Sequence, residues 1–126
     1  MLFLIIDDDP EDVDYFVETA RRVIPDCDCL TASSCEEGFR MLREAVHIPS
    51  YIFLDGMLYG MNSKECLRKL KKDPLYTDIR IIMYSGFAHE ELQLEFLKMG
   101  ADKFIIKPTS STELEQALIA LLSEKK

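Results

Sequence analysis

The sequence predicts an α/β protein in which five parallel strands form one sheet with helices on both faces. Three observations predict this fold class. Short apolar runs alternate with longer amphipathic segments, the run Leu2–Ile6 is apolar at every position, and the pattern continues to the end without a repeat or linker. Strands that are buried on both faces have such continuous apolar runs, and helices connect parallel strands by right-handed crossovers.

The elements follow one another in strand–helix pairs. Apolar spacing of three and four residues separates the helices from the short apolar runs that form strands. The predicted strands are residues 2–6, 27–32, 51–54, 79–84 and 104–106. The predicted helices are residues 11–24, 34 to about 46, 63–72, 89–99 and a last helix that opens at residue 110.

Several local signals fix the ends of these elements. Asp28 lies inside the second apolar run, which indicates that this strand is at an edge of the sheet. Ser34 with Glu37 matches the capping box that opens a helix, and Ser110 repeats the pattern at the last helix. Gly100 is expected just beyond the end of the fourth helix, where a left-handed backbone conformation favours glycine.

Composition and charge narrow the possible functions. The chain has 126 residues, 48% of them hydrophobic, which is enough for one domain with a substantial core. The formal net charge of −8 argues against non-specific binding to nucleic acid, which requires Lys and Arg to neutralise phosphates. It also argues against docking on anionic membranes. A partner with a basic patch, or a bound cation, fits this charge better.

The cysteine content and the lack of a long apolar segment indicate the cellular compartment of the protein. The 4 Cys residues form no CxxC pair and only 2 His are present, so we expect no zinc site. A core this apolar needs no covalent cross-link, and we therefore expect four reduced thiols in a reducing compartment. The run Leu2–Ile6 is too short for a signal peptide or a membrane span, so we expect a soluble, cytoplasmic protein.

Polar side chains follow four of the five predicted strands. Asp7-Asp8-Asp9 follows the first strand, Asp55 the third, Ser85 the fourth and Lys107 the fifth. Each of these is by itself a common turn or capping residue, and we assign Asp9, which precedes a proline, to a helix N-cap. The carboxyl ends of parallel strands meet at one edge of the sheet, where ligands bind in such folds. The four positions together therefore predict one functional site.

The residue types at these positions suit phosphoryl transfer. Several carboxylates in one crevice repel one another unless a cation is shared, and all-oxygen ligands favour a hard ion such as Mg²⁺. Lys107 would supply a second positive charge. An Asp carboxylate can act as a nucleophile and form an aspartyl phosphate, whose oxygens the metal and the lysine would stabilise.

These positions lie within five sequence blocks. They are Ile5-Ile6-Asp7-Asp8-Asp9-Pro10, Ile52-Phe53-Leu54-Asp55, Ile81-Ile82-Met83-Tyr84-Ser85-Gly86, Gly100-Ala101-Asp102 and Phe104-Ile105-Ile106-Lys107-Pro108. Together, and in this order, they resemble the signature blocks of response-regulator receiver domains over essentially the whole chain. The resemblance implies a flavodoxin-like, doubly wound sheet with strand order 2-1-3-4-5. It also implies that residues 1–126 are a single receiver domain without an output domain.

The resemblance implies a role for each site residue. Asp7 and Asp8 match the acidic pair that holds Mg²⁺, Asp55 matches the phosphoacceptor, and the backbone carbonyl of Met57 matches the remaining protein ligand of the metal. Lys107 matches the lysine that contacts the phosphoryl group.

A second set of matches concerns the conformational switch of the family. Ser85 matches the hydroxyl that moves onto the phosphoryl group, and Phe104 matches the aromatic residue that turns inward on activation. The bond between Lys107 and Pro108 would be cis, as is usual in the family. The fourth helix, fifth strand and fifth helix form the usual signalling face. There Leu94 and Leu97 either mark a docking patch or widen a buried helix face.

The loop after Asp55 departs from the family pattern. Where the family often has Met-Pro and a later Gly, this chain has Leu58, Tyr59 and Ser63, which removes the restraint of proline. Met57 and Phe87 match positions that flank the phosphoryl group. Either these large apolar side chains hinder the attacking water, which would lengthen the life of the phosphorylated form, or they only cover neighbouring apolar surface.

The resemblance implies a signalling protein rather than an enzyme that turns over external substrates. A histidine kinase or a phosphotransfer protein would phosphorylate Asp55, and a downstream protein would bind the signalling face. One alternative is a phosphorylation-independent interaction module with the same fold. Another is an Asp-nucleophile phosphatase of the haloacid-dehalogenase type, but Met57 occupies the position of the second Asp that such enzymes require.

Overall fold

A computed structural model describes residues 1–58, 62–86 and 89–124. In these residues strands and helices alternate, as the sequence predicts. The strands are β1 (Leu2–Ile6), β2 (Asp28–Ala32), β3 (Tyr51–Leu54), β4 (Arg80–Ser85) and β5 (Lys103–Ile106). The helices are α1 (Pro10–Val23), α2 (Cys35–Glu44), α3 (Ser63–Lys72), α4 (Glu90–Lys98) and α5 (Ser111–Ser123). A short 3-10 helix at Pro74–Tyr76, which the sequence analysis did not predict, precedes β4.

The five strands form one parallel sheet in the order β2-β1-β3-β4-β5. This is the flavodoxin-like order, and it places β2 at an edge, as Asp28 indicates. The sheet separates two apolar cores. α1 and α5 pack on one face around Phe16 and Leu118, whereas α2, α3 and α4 pack on the other around Leu67 and Phe96. Every residue of β3 is buried, as expected for a strand with helices on both faces.

The predicted capping side chains lie at the N-termini of α1, α2 and α5. The Oγ of Ser34 accepts the Glu37 N–H at 3.1 Å, and the Oγ of Ser110 repeats this contact at α5. Asp9 caps α1 by accepting the N–H groups of Glu11 and Asp12, which confirms its assignment as an N-cap. Gly100 has a φ of +111°, which confirms the predicted left-handed position after α4.

The prediction of four reduced cysteines is wrong. Cys35 and Cys66 form a disulfide that joins α2 to α3, with the two Cα atoms 5.9 Å apart. Both side chains are fully buried in the same apolar core. An apolar core of this size gives no indication of a cross-link, and the spacing of Cys35 and Cys66 in the sequence does not show that these helices bring the thiols into contact. Cys27 and Cys29 are free, and their sulfur atoms lie 3.9 Å apart.

The expected cis bond before Pro108 is also wrong, because the described residues contain no cis peptide bond. The trans form of such a bond is favoured by about 0.5–1 kcal/mol, so cis requires a specific structural cause. In this structure the N–H of Lys107 donates to the Ser85 carbonyl at 2.8 Å, which continues the alignment of β5 with β4.

The ammonium of Lys64 on α3 forms an exposed ion pair with Glu95 on α4 at 2.7 Å. No helix in the described part of the chain has both the length and the apolar character needed to cross a membrane.

Candidate functional site

The side chains that the sequence predicts at the strand ends meet at one edge of the sheet. Backbone hydrogen bonds extend the strand pairing into this edge: the Asp7 N–H donates to the Ala32 carbonyl at 3.0 Å, and the Asp55 N–H donates to the Ile6 carbonyl at 2.9 Å. These bonds fix the backbone from which each carboxylate projects. The site therefore depends on the parallel arrangement of β1, β2 and β3.

Three carboxylates form the centre of the site. Asp7, Asp8 and Asp55 each offer an oxygen, and these oxygens lie within 4.8 Å of one another. Asp7 is only 3% exposed and Asp55 only 7%. The Oδ2 of Asp8 is buried and has no hydrogen-bond partner among the described residues.

This arrangement fits a hard divalent cation. Oxygen ligands lie about 2–2.6 Å from Mg²⁺ or Ca²⁺, so ligands on opposite sides of one ion are about 4–5 Å apart. A cation would neutralise the buried carboxylates and give the partnerless oxygen of Asp8 a ligand role. Asp7, Asp8 and Asp55 are thus able to hold a metal ion. The carbonyl of Met57, which the resemblance adds to this set, stays a prediction.

Lys107 brings a positive charge to the same centre. Its Nζ lies 2.9 Å from the Oδ2 of Asp7, 2.7 Å from the Oδ2 of Asp12 and 3.6 Å from the Oδ2 of Asp55. Burial lowers the pKa of Lys107, but the hydrogen bonds to Asp12 and Asp7 and the charge of Asp55 outweigh burial and raise it. The ammonium therefore stays charged throughout the physiological range.

The negative charge of Asp55 is disfavoured in the folded protein. Burial, followed by the charge of Asp7, raises the pKa of Asp55 to about 7. Lys107 and the N–H of Met57, which donates to Oδ1 at 3.1 Å, oppose this rise only in part. A group whose charge is disfavoured in this way gains from a nearby cation, which favours the ionised and nucleophilic form.

Ser63 holds the loop that follows Asp55. Its hydroxyl donates to the Asp55 carbonyl at 2.5 Å and accepts the Leu58 N–H at 3.2 Å. Asn62, the preceding residue, caps α3. Ser63 occupies the place where the family often has Gly, so this departure supplies two backbone contacts. Tyr59, in the middle of the loop, lies outside the described residues.

The predicted switch residues lie beside this loop. Ser85 is fully buried at the end of β4, and a Cβ atom at Gly56 would lie 3.1 Å from its Cβ and 3.2 Å from its Oγ. Phe104 is partly buried, and its ring centre lies 6.1 Å from that of Phe96 on α4. Phe96 also approaches Gly56, so it connects the surroundings of Ser85 with those of Phe104.

Three hydrophobic residues from the sequence analysis have exposed side chains. Met57 is 53% exposed, and Phe87, with which it was grouped, lies outside the described residues. Leu94 and Leu97 on α4 are 50% and 40% exposed. The interpretation that these two leucines merely widen a buried helix face is therefore wrong.

Sequence reasoning missed Asp12, which makes the shortest contact to Lys107. The apolar periodicity of residues 11–24 predicts the helix but gives no role to Asp12. The available signal was its position, because Asp12 lies in the first turn of α1, just after the acidic strand end. This position places the carboxylate at the correct end of α1 without identifying its partner.

Comparisons with known proteins agree with this geometry. A family model for the response regulator receiver domain matches residues 3–119. The phosphate regulon transcriptional regulatory protein PhoB of Pseudomonas aeruginosa is 37% identical over 95 residues, which are 75% of this chain and 41% of that protein. The chain spans less than half the length of the curated relatives it matches.

Solved structures share the fold. The N-terminal domain of a response regulator receiver protein from Methanoculleus marisnigri JR1 is 30% identical, with a TM-score of 0.73 and 98% of each chain covered. The Mn²⁺-bound form of response regulator Rcp1 is 14% identical, with a TM-score of 0.85 and coverage of 99% of this chain and 96% of that one. The chain belongs to the response regulator receiver domain family, a domain of two-component signalling that does not itself turn over external substrates.

Proposed function

We propose that Asp55 accepts a phosphoryl group from a phosphohistidine and that the protein acts as a phosphorylation-dependent switch. The donor is a histidine kinase or a histidine phosphotransfer protein. The observation that carries this proposal is the surroundings of Asp55: two further carboxylates lie within metal-sharing distance, and the Lys107 ammonium lies 3.6 Å away. A receiver fold without these groups could still bind partners, but it would have no means of stabilising an aspartyl phosphate.

Phosphoryl transfer makes one bond and breaks one bond. A carboxylate oxygen of Asp55 attacks phosphorus, and the bond from phosphorus to the histidine nitrogen breaks as the imidazole leaves with the electron pair. Lys107 and Ser85 donate hydrogen bonds to the phosphoryl oxygens. Asp7, Asp8, Asp55 and the carbonyl of Met57 are the proposed ligands of Mg²⁺. When it is bound, this ion supplies positive charge to the same oxygens.

The proposed response begins at Ser85. Movement of its side chain towards the phosphoryl group would leave space that the Phe104 ring can occupy, and Phe96 lies between the two regions. This movement would favour one of two conformations. The proposed output is a downstream protein that binds the face formed by α4, β5 and α5, where Leu94, Leu97 and Ile106 are exposed.

Incubation with acetyl phosphate and MgCl₂, followed by intact-mass measurement, tests the proposal. We expect one phosphoryl adduct per chain, which Asp55→Asn abolishes and which omission of Mg²⁺ or Asp8→Asn strongly reduces. Asp26→Asn is the matched control, because it also removes one carboxylate charge but lies in an exposed loop before β2. The wild-type protein and this control should behave alike.

The remaining outcomes identify the alternatives. Failure of the wild-type protein to form an adduct would indicate a phosphorylation-independent module. An adduct that persists in Asp55→Asn would place the phosphoacceptor elsewhere. Binding of a partner to the α4–β5–α5 face with equal affinity before and after phosphorylation would refute the switch while leaving phosphoryl acceptance intact.

A further inference from the structure

Lys107 makes its shortest polar contact with Asp12, away from the proposed phosphoacceptor. The Nζ–Oδ2 distance is 2.7 Å to Asp12 and 3.6 Å to Asp55. The contact with Asp12 is a charge-assisted hydrogen bond, whereas the distance to Asp55 is too long for a hydrogen bond. The resemblance to the receiver family assigns no role to Asp12, and the proposed transfer chemistry does not use it.

We propose that Asp12 is a positioning residue that competes with the phosphoryl group for the Lys107 ammonium. This inference rests on the proposed function, because it presumes that a phosphoryl group forms on Asp55. Asp12 holds the Lys107 ammonium in the unmodified protein. It therefore opposes movement of this ammonium towards the phosphoryl oxygens.

The number of available donors limits what a phosphoryl group can receive from Lys107. An ammonium has three N–H groups, and in this structure Asp7 and Asp12 each accept one of them, which leaves one for the phosphoryl oxygens. Phosphorylation replaces the single negative charge of the Asp55 carboxylate with nearly two on the phosphoryl oxygens, which need strong donors. The phosphoryl group therefore has to share the ammonium with Asp12, and it also experiences repulsion from the Asp12 carboxylate.

The start of α1 keeps Asp12 in place. Its N–H lies 3.4 Å from the Oδ1 of Asp9, the N-cap residue, so the capping interaction fixes the backbone at this position. A carboxylate in the first turn of a helix is also favoured by the helix dipole. The side chain of Asp12 is 41% exposed, which screens its contact with Lys107 and limits the size of the expected effect.

Titration with beryllofluoride, a phosphoryl mimic, in the presence of MgCl₂ tests the inference, with binding followed by ¹⁹F NMR. We expect Asp12→Asn to lower the half-saturating concentration about fivefold, the size of one partly screened ion pair. Glu11→Gln is the matched control, because it removes a charge from the exposed neighbour in the same helical turn. It should leave binding unchanged, and Asp12→Glu should behave as the wild type.

A double-mutant cycle separates an effect through Lys107 from a general effect of charge. The rate of adduct formation from acetyl phosphate is compared for Asp12→Asn in the wild-type and Lys107→Met backgrounds, since intact mass can follow slow reactions. We expect an increase of about fivefold with Lys107 present and no increase without it. Unfolding in denaturant checks that each variant is folded.

Three outcomes would overturn the inference. They are unchanged or weaker beryllofluoride binding by Asp12→Asn, equal effects of Asp12→Asn and Glu11→Gln, and an equal effect of Asp12→Asn in both backgrounds. The proposed function survives all three if the wild type still forms an adduct that Asp55→Asn removes. A wild type that forms no adduct and binds no beryllofluoride refutes both.

Discussion

The hydroxyl of Ser63 donates to the backbone carbonyl of Asp55 at 2.5 Å, and the same oxygen accepts the N–H of Leu58. One buried side chain at the start of α3 therefore satisfies two backbone groups of the loop next to the acidic centre. This contact ties the first turn of α3 to the residue that carries the proposed phosphoryl group.

Ser63→Ala should destabilise the protein, because it leaves the buried carbonyl of Asp55 and the partly buried N–H of Leu58 without their partner. We expect a loss of about 1–3 kcal/mol in the free energy of unfolding, measured by urea denaturation. Ser111→Ala is the matched control, since Ser111 occupies the same first position in α5 but is less buried. Equal losses for the two variants would show that the Ser63 contact contributes nothing specific.

Gly56→Ala should disturb the packing around Ser85, because the new Cβ would lie 3.1 Å from the Cβ of Ser85. We expect a loss of stability of about 1–3 kcal/mol, which is typical of overpacking in a buried region, together with slower adduct formation from acetyl phosphate. Gly86→Ala is the control, since its Cβ would meet no atom within 4 Å. A Gly56→Ala variant as stable as Gly86→Ala would mean that the loop shifts without cost.

Reduction of the bond between Cys35 and Cys66 should destabilise the protein by roughly 3–4 kcal/mol, because the cross-link restrains a long loop of the unfolded chain. Denaturation with and without dithiothreitol measures the loss, and alkylation under denaturing conditions counts the free thiols. The double variant Cys35→Ala, Cys66→Ala should be insensitive to the reductant. The double variant Cys27→Ala, Cys29→Ala, which removes the free pair, should retain the sensitivity of the wild type.

The metal-free protein should lose stability relative to Asp55→Asn as the pH rises through neutrality. The pKa of Asp55 is raised to about 7 in the folded state, chiefly by burial, so the folded protein retains a proton that the unfolded chain has released. The stabilisation from this proton is complete below the pKa of the unfolded carboxyl and disappears as the pH passes the folded value. Denaturation in EDTA over roughly pH 5 to pH 8 measures the difference between the two proteins. A difference that stays constant over this range would contradict the raised pKa.

The residues at the strand ends could be predicted from the sequence, because the hydrophobic periodicity alone distinguishes strands from helices. Once the strands are parallel, Asp7, Asp55 and Lys107 must end at the same edge of the sheet, whatever the details of packing. Asp28 predicted that β2 lies at an edge of the sheet, because a charged side chain within a strand needs contact with solvent. These predictions depend on backbone geometry only.

The features that were missed depend on the distances between side chains on different elements. The partner of Lys107 is determined by how α1 and β5 approach each other, so Asp12 could not be distinguished from the other acids of its helix. The disulfide likewise requires α2 and α3 to bring Cys35 and Cys66 within bonding distance, and their separation of 31 residues carries no signal of this. Ser63 differs from the family pattern, and its two contacts became apparent only with the loop in place.

The disulfide makes the three helices on its face of the sheet unequal in how firmly they are joined to one another. α2 and α3 are covalently joined, so we expect them to be displaced together, as a rigid body. α4 is linked to α3 by the exposed ion pair between Lys64 and Glu95, which solvent screens and thermal motion easily separates. We therefore expect relative motion on this face to be concentrated at the α3–α4 boundary, with α4 the freer helix to rearrange.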